Sequence, residues 1–600
     1  MKFLELASYL QKLEDTSKRL EITSILAELI TKFSVNETDK GIYLCLGYLK
    51  PQFETEKFNM AEKMVIKAME KAYPQAKNVL GQYKQAGDLG DVAYQLHQQI
   101  PDQDLSLSDI HQRLLEIARL EGTGSQESKI GRLAQLLLKV DKLSAKFIVR
   151  IVLGSTRLGF TELTIIDALS KMLAGDKSLK SKIESKYFVH PDIGLISKLL
   201  KKDGREGLAE VKMETGVPIL AQKAQRAGGL QEIADRLKQF WAEYKFDGTR
   251  VQLHLDKDKK FQMNIQQADL FGEVEAKDYL IKTFTRNLED STHQHPEIAR
   301  AAMTQVSARS IVLDGEAIGI DRKTGEFLPF QQIMQRKRKH AIKEMSAEIP
   351  LQYFVFDILF LDGQPLIDKP LRERHEILKR VVRDNDVIKV AEHIQAEDVK
   401  SLTAYFEKAK KLNLEGLIVK KPDDPYQAGA RSFSWVKLKK ADEKLLEDSV
   451  DLVVLGYYRG KGERSKFGIG GFLAGILDDD KNRFLTISKV GTGLKDEDWE
   501  YLKKIADKHI LKQVPSNVDM TKIYTPDVIL EPKIVVEIGA DEISVSKTHT
   551  AGYALRFPRL LYFRTDKNPT QATTLNEITR LYSLQKRGSY KKLPKQGGEN

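Results

Sequence analysis

Cysteine is almost absent from this sequence. The 600 residues contain one, Cys45, which excludes an internal disulfide and every cysteine-rich zinc site. Long hydrophobic runs are missing too, since nothing approaches the roughly 18 apolar residues of a spanning helix. Proline and glycine are modest at 18 and 39, so the chain is neither collagenous nor of low complexity. The opening residues lack the uniform apolarity of a signal peptide, being broken by Glu5, Glu14 and Asp15. The expectation is a soluble, cytoplasmic protein with no membrane contact.

What is present is charge. Lys and Arg number 96 against 85 Asp and Glu, a net charge of +11. An excess of this size suits a polyanionic partner, although many housekeeping enzymes share it. At roughly 150 residues per domain the length predicts about four domains, with two to four acceptable; the patterns below predict three.

The first two hundred residues read as helices. Phe3, Leu6, Leu10 and Leu13 step by three and four, as do Ile25, Leu26, Leu29 and Ile30. Two later helical stretches each close on a glycine, Gly154 and Gly175. The pattern changes at Thr215-Gly216-Val217-Pro218. Strand-like runs then alternate with helices, which predicts a mixed α+β core. Beyond LKKADEKLLED, short strands with glycine turns predict a small barrel. The boundaries follow: an all-α domain over 1–213, an α+β core over 214–445, a β-barrel over 446–585, and a basic, disordered tail over 586–600.

Lys245-Phe246-Asp247-Gly248-Thr249-Arg250 has the spacing Lys-x-Asp-Gly-x-Arg. A random chain of this length matches those four fixed positions on the order of once in a hundred. Alone it also reads as a charged hairpin. Four companions follow in order: Asp314-Gly315-Glu316 on an apolar strand, YFVFDIL (Tyr353–Leu359), EGLIVK (Glu415–Lys420) and RSFSWVKLK (Arg431–Lys439). Any one of them can be structural, because Asp-Gly is a common turn and alternating lysines usually mark a solvated face. All five in this order do not arise by accident.

With these motifs the sequence resembles the ATP-dependent DNA ligases, archaeal type, within the covalent nucleotidyltransferase superfamily. The resemblance extends to GSTRLGF (Gly154–Phe160), KVGTGLKDED, GYALRFPR and Arg564-Thr565-Asp566-Lys567. It implies a helical DNA-binding domain, a nucleotidyltransferase core and an OB-fold barrel. It implies nick sealing in replication, repair or recombination, by three transfers. Lys245 takes AMP from ATP, AMP passes to the 5′-phosphate of a nick in duplex DNA, and the 3′-hydroxyl displaces it.

The resemblance also implies residue roles. Glu243 reaches the adenine, Phe356 stacks on it, and Arg250, Arg286, Glu316, Arg431 and Lys437 complete the nucleotide site. Glu316 and Glu415 act near Mg2+, the expected metal. Asp247 and Lys439 support the motifs, while Arg556, Arg559, Arg564 and Lys567 belong to a C-terminal motif. In the family the barrel swings in to orient the departing pyrophosphate and then swings away. A free lysine is neutral only about 0.04% of the time at pH 7, so Lys245 needs a lowered pKa. Arg250, Lys437 and Lys439 are expected to supply the cationic field that lowers it.

Phe354 and Phe356 alternate with Val355 and share one strand face, which leaves room for only one of them at the nucleotide. Of PFQQIMQRKRKH (Pro329–His340), the cations Arg336 to Lys339 either contact DNA phosphates or face water. His293 and His295 read as a polar loop, lacking a third metal ligand nearby. An extra stretch of roughly twenty residues precedes Phe284, longer than the family's usual hairpin and tolerable at a surface turn. No aromatic pair follows the glutamines of Gln95–Ile110, which argues against a sliding-clamp contact there, and a monomer is expected. The helical domain is expected to grip phosphates with little base reading, and so to bind DNA less well as salt rises. The alternatives are an RNA ligase or capping-type nucleotidyltransferase, or a non-catalytic DNA-binding scaffold on a ligase fold. A bacterial-type NAD-dependent ligase would normally carry a four-cysteine zinc module, which one cysteine cannot build.

Overall fold

The computed structural model describes the chain except residues 55, 77, 99–104, 228, 260–278, 322–323, 329–332, 334–335, 337–348, 413, 440–448 and 585–600. The basic tail, nearly all of the extra stretch before Phe284, and Lys337 to Lys339 therefore lie outside the described residues. So does part of Gln95–Ile110. The rest forms two compact units. One comprises Met1–Val79 with Ala93–Lys439, the other Leu80–Val92 with Lys440–Gly588.

Among the described residues, twelve α-helices run from Phe3–Glu14 to Ile193–Asp203. The apolar stripe of the first helix (Phe3, Leu6, Leu10, Leu13) is fully buried, each such side chain contributing about 1.5–3 kcal/mol. Both predicted glycine stops occur. Gly175 caps the helix Glu162–Ala174 at φ 79°. Gly154, at φ 68°, follows the helix Lys142–Val152; its N–H bonds to Ile151 O while Ser155 N–H bonds to Arg150 O. That paired closure satisfies the last carbonyls of the helix and turns the chain into GSTRLGF.

The mixed core is built on two sheets. The first has the order β1 (Lys223–Arg226), β11 (Arg431–Lys439), β10 (Gly416–Lys420), β2 (Phe240–Lys245) and β9 (His393–Ala396). The second has the order β4 (Leu280–Thr285), β3 (Thr249–Asp256), β5 (Ser310–Gly319), β6 (Leu351–Leu361) and β7 (Gln364–Pro365), with β8 (Ile388–Val390) beside β6. β2 and β3 are consecutive in the chain but belong to different sheets, so Phe246-Asp247-Gly248 carries the chain from one to the other.

Alternation decides what each strand shows. β2 buries Phe240, Ala242 and Tyr244 against residues of the helices Leu230–Leu237 and Val399–Lys411, which turns Trp241, Glu243 and Lys245 to the opposite face. β3 buries Val251, Leu253 and Leu255 with residues of the helices Pro296–Gln305 and Leu371–Val381, leaving Arg250, Gln252, His254 and Asp256 on its other face. That polar face fastens down the segment where the helical region gives way to the core. Thr215 Oγ1 donates to Asp256 (2.5 Å), Gly216 N–H to His254 Nδ1 (3.1 Å) and Ile219 N–H to Gln252 Oε1 (2.7 Å), while Arg250 Nη1 donates to Gln222 O (2.7 Å).

The second unit is a curled β half-barrel consistent with an OB fold. Its main sheet contains β12 (Val450–Tyr458), β13 (Gly471–Asp478), β14 (Arg483–Val490), β15 (Ile510–Leu511), β16 (Val518–Asp519), β17 (Val528–Leu530), β18 (Val535–Gly539) and β21 (Arg559–Phe563). The strands β19 (Glu542–Val545) and β20 (Tyr553–Arg556) pair apart. Among the described residues, no helix is long and apolar enough to cross a membrane.

His254 is fully buried, and burial pushes its pKa down to about 3. Nδ1 accepts from Gly216, so the proton sits on Nε2, 2.9 Å from Gln252 Oε1. Because the folded value lies below the ordinary one, stability is complete above pH 6.5 and falls as pH drops toward 3. The cost is roughly 2 kcal/mol by pH 5. Guanidine unfolding in a Trp499→Phe background, where Trp241 and Trp435 report on the core, is expected to lose stability between pH 7.5 and 5. His254→Gln is expected to lose less over the same interval.

Candidate active site

Lys245 ends β2, and its backbone pairs with Gly416 of β10, which in turn pairs with Lys439 of β11. Glu415 N–H donates to Lys245 O (3.0 Å). This pairing puts Glu415 between two ammonium groups. Lys245 Nζ donates to one carboxylate oxygen, and Lys439 Nζ lies 2.7 Å from the other. A Cβ on Gly416 would stand 2.0 Å from Leu438 O, and the residue's φ is 153°. Only glycine lets β11 approach this closely.

From the facing sheet come Arg250 and Glu316, paired across β3 and β5. Gly248 lets the connecting turn lie against β5, since its Cβ would fall 2.4 Å from Ala317 O. Arg250 forks onto the fully buried Asp314 at 3.0 and 2.6 Å, and Tyr426 OH donates to the same carboxylate at 2.8 Å. The Arg250 guanidinium lies over Phe356 (5.4 Å) and Trp435 (5.6 Å). Glu243, buried, is ion-paired with buried Lys420 at 2.7 Å, and Lys420 Nζ sits over the same two rings at 4.5 and 4.3 Å.

Electrostatics separate the two sides. Burial pushes the Glu316 carboxyl up to about 7, against the opposing pull of Lys245 and Arg250. Burial also raises Glu415, but Lys245 and Lys439 outweigh it and hold its carboxyl below the ordinary value. Lys437 is lowered by burial and by its neighbours Lys439, Lys245, Arg431 and Arg286. Arg286 is exposed at the end of β4 and is crowded by Arg250 and Arg431. It lines a cleft of about 1330 Å3 between the turn after β4 and helical-region residues from Gly47 to Ala61.

Three family models match this chain: DNA ligase N terminus over residues 2–170, ATP dependent DNA ligase domain over 273–439, and ATP dependent DNA ligase C terminal region over 465–567. The chain is 40% identical over 596 residues to the probable DNA ligase of Dictyoglomus turgidum, covering 98% of each chain. It is 35% identical over 612 residues to the DNA ligase of Sulfolobus acidocaldarius, covering 97% of this chain and 98% of that one. The chain belongs to the ATP-dependent DNA ligases. It seals nicks in DNA with ATP. A solved structure called Pmar-Lig_Pre covers 93% of the ligase and 99% of its own chain at a TM-score of 0.56 and 16% identity, a likeness of fold.

Within the ligase the two sheets bring Lys245, Arg250, Glu316, Glu415, Lys437 and Lys439 together, with Asp247 in the turn between them and Arg431 at the start of β11. Phe354 packs on Phe246 in the core (4.5 Å), whereas Phe356 meets Trp435 edge-on (5.7 Å) and faces the cations. The barrel's Arg556 pairs with Glu542 (3.3 Å) and Arg559 with Asp541 (2.9 Å). Arg564 and Lys567 likewise bind acids of the barrel.

Three expectations are corrected. Lys245 does not have a lowered pKa: burial acts downward, but Glu415, Glu316 and Asp247 reverse it and hold the ammonium above its ordinary value. Arg336 neither faces water nor stands ready for phosphate. It is 3% exposed and forks onto Glu297 and Ile349 O. His295 is no polar loop residue, being 4% exposed with Nδ1 3.1 Å from Thr283 Oγ1.

Asp314, Tyr426, Gln222 and Lys420 were not singled out from the sequence. Asp314 and Lys420 sit inside the quoted motifs, so an unexplained charge at an apolar strand position was the available signal. Gln222 and Tyr426 carry none.

Since Glu415 keeps Lys245 protonated, its removal is expected to free the amine. Without nucleotide, Lys245 of Glu415→Gln should react with acetic anhydride at pH 8 severalfold faster than Lys245 of the unaltered ligase, as read by peptide mass spectrometry. Equal rates would mean that Glu415 does not set the protonation of the lysine.

Proposed function

We propose that Lys245 is the nucleophile of the ligase. Its Nζ attacks the α-phosphorus of ATP, the bond to pyrophosphate breaks, and a lysyl-AMP phosphoramidate remains. AMP then moves to the 5′-phosphate at the nick, and attack by the 3′-hydroxyl releases it as the strand closes. The observation that carries this reading is the convergence of Lys245, Glu415 and Lys439 on one sheet opposite Arg250 and Glu316 on the other, joined by the Lys-x-Asp-Gly-x-Arg turn.

Lys245 must lose a proton before it attacks. Glu415, hydrogen-bonded to Nζ, is the nearest acceptor. Lys437, Lys439 and Arg250 then neutralise phosphate oxygens as negative charge shifts to the leaving group. Arg286 and Arg431 stand at the outer rim as further phosphate partners. Phe356 stacks on the base, whose edge reaches Glu243, and Asp247 shapes the turn that presents the lysine.

Mg2+ fits Glu316 and Glu415. Among the described residues no group of three or more potential ligands gathers around one point, and magnesium typically takes one or two carboxylates plus phosphate and water. The carboxyl of Glu316, destabilised as an anion, is a group that a dication would relieve. When bound, the ion supplies positive charge to the phosphate oxygens.

The helical region 1–213 grips duplex DNA through phosphates, the core 214–445 carries the nucleotide, and the barrel 446–585 presents Arg564 and Lys567, with Arg556 and Arg559, to the pyrophosphate. The enzyme works as a cytoplasmic monomer in replication, repair or recombination.

Incubation with Mg2+ and α-labelled ATP, followed by denaturation, is expected to leave label on the ligase and none on Lys245→Ala. Nicked duplex DNA should discharge the label and yield sealed product. Discharge onto nicked RNA alone would overturn the assignment of substrate, and label on Lys245→Ala that of the nucleophile.

A further inference from the structure

In the barrel, Asp451 of β12 lies directly across from Glu537 of β18. Two carboxylates in that register repel one another unless a cation joins them. Arg564 supplies it: Nη1 lies 3.2 Å from Asp451 Oδ1 and 3.4 Å from Glu537 Oε2. Lys567 Nζ is 2.5 Å from the other oxygen of Asp451. One aspartate therefore draws two cations, three residues apart in the chain, to a common point. The turn between them is closed by Lys567 N–H donating to Arg564 O (3.3 Å).

The acids are themselves fixed. Asp451 N–H donates to Thr573 Oγ1 (3.0 Å), its carbonyl accepts from Thr573 N–H (2.8 Å), and Ser449 Oγ donates to Glu537. The side chains of Asp451 and Glu537 are only 13% and 19% exposed. By contrast, the Nε/Nη2 fork of Arg564 is directed at Asp566, a side chain 63% exposed. The guanidinium is thus anchored at Nη1 by sheltered acids, while its fork, the geometry that binds phosphate in bidentate fashion, closes on an exposed acid that phosphate oxygens would have to replace.

We propose that Asp451 and Glu537 are positioning residues for the first step of the ligase reaction. They hold Arg564 and Lys567 side by side as paired partners for the pyrophosphate leaving group, whose oxygens take the place of Asp566 on the Arg564 fork. The proposal rests on the reading of Arg564 and Lys567 given above. A group fixed before the charge develops stabilises it without reorganising, so losing either acid should slow adenylation although neither touches the nucleotide.

The test compares Asp451→Asn, Glu537→Gln, Arg564→Ala and the double variant Glu537→Gln/Arg564→Ala in three assays. These are formation of labelled lysyl-AMP, its reversal by pyrophosphate, and sealing of a nick already carrying 5′-AMP. Asp451→Asn and Glu537→Gln are expected to slow the first two about three- to tenfold, the range set by one or two weakened ion pairs, and to leave the third unchanged. Glu537→Gln should add nothing in the Arg564→Ala background, since Arg564 is the cation that Glu537 holds. An equal fall in all three assays would mark a structural role and overturn the proposal. Additive losses in the double variant, or full adenylation by both acid variants while Arg564→Ala fails, would overturn it and leave the role of Arg564 standing. Normal adenylation by Arg564→Ala would remove that role and the proposal together.

Discussion

Glu415 holds the ammonium groups of Lys245 and Lys439, which arrive from two strands of one sheet, and the organisation of the cleft depends on that neutralisation. Several cations stand close together in the cleft where the proposed function puts the phosphates of ATP. Without phosphate they repel one another, and four of them are held by counter-charges. Lys245 and Lys439 share Glu415, Arg250 forks onto Asp314, and Lys420 meets Glu243. Lys437, Arg286 and Arg431 crowd one another, and burial adds to the lowering of Lys437. The resting cleft is a set of ion pairs, which the proposed function exchanges for phosphate contacts.

The same constraint explains why Lys245, the proposed nucleophile, is held as an ammonium. A depressed pKa would require the cations to dominate at Lys245, yet carboxylates are nearer. In the proposed reaction, activation therefore waits on transfer of the Lys245 proton to Glu415. A lysine kept unreactive until its substrate is in place is also protected from side reactions, because the neutral amine is the nucleophile.

Strand β3 joins this chemistry to the architecture. One of its faces is apolar and buried. Its other face carries Arg250 to the nucleotide cleft and uses Gln252, His254 and Asp256 to fasten the segment from Thr215 to Ile219. Arg250 takes part in both, through Asp314 and through Gln222 O. The junction between the helical region and the core is thus bonded along the strand that positions Arg250.

Much was legible in the sequence because it depended on local order. Period-three-to-four apolar residues become buried helix faces, and Gly154 and Gly175 stop helices because the left-handed backbone they adopt favours glycine. Strand alternation places Glu243 with Lys245, and the motifs assemble one site, since they lie on strands of the two sheets and on the turn that joins β2 to β3. Protonation state and pairing were decided only by the tertiary structure. Both depend on distances between residues far apart in the chain: Lys245 and Glu415 are 170 residues apart and Arg250 and Asp314 64. Arg336 looked like one of four surface cations until the fold brought Glu297 beneath it. Chemistry is carried by residue type and spacing, which a linear sequence displays. The sign of a pKa shift is carried by burial and the nearest charge, which exist only once the chain has folded.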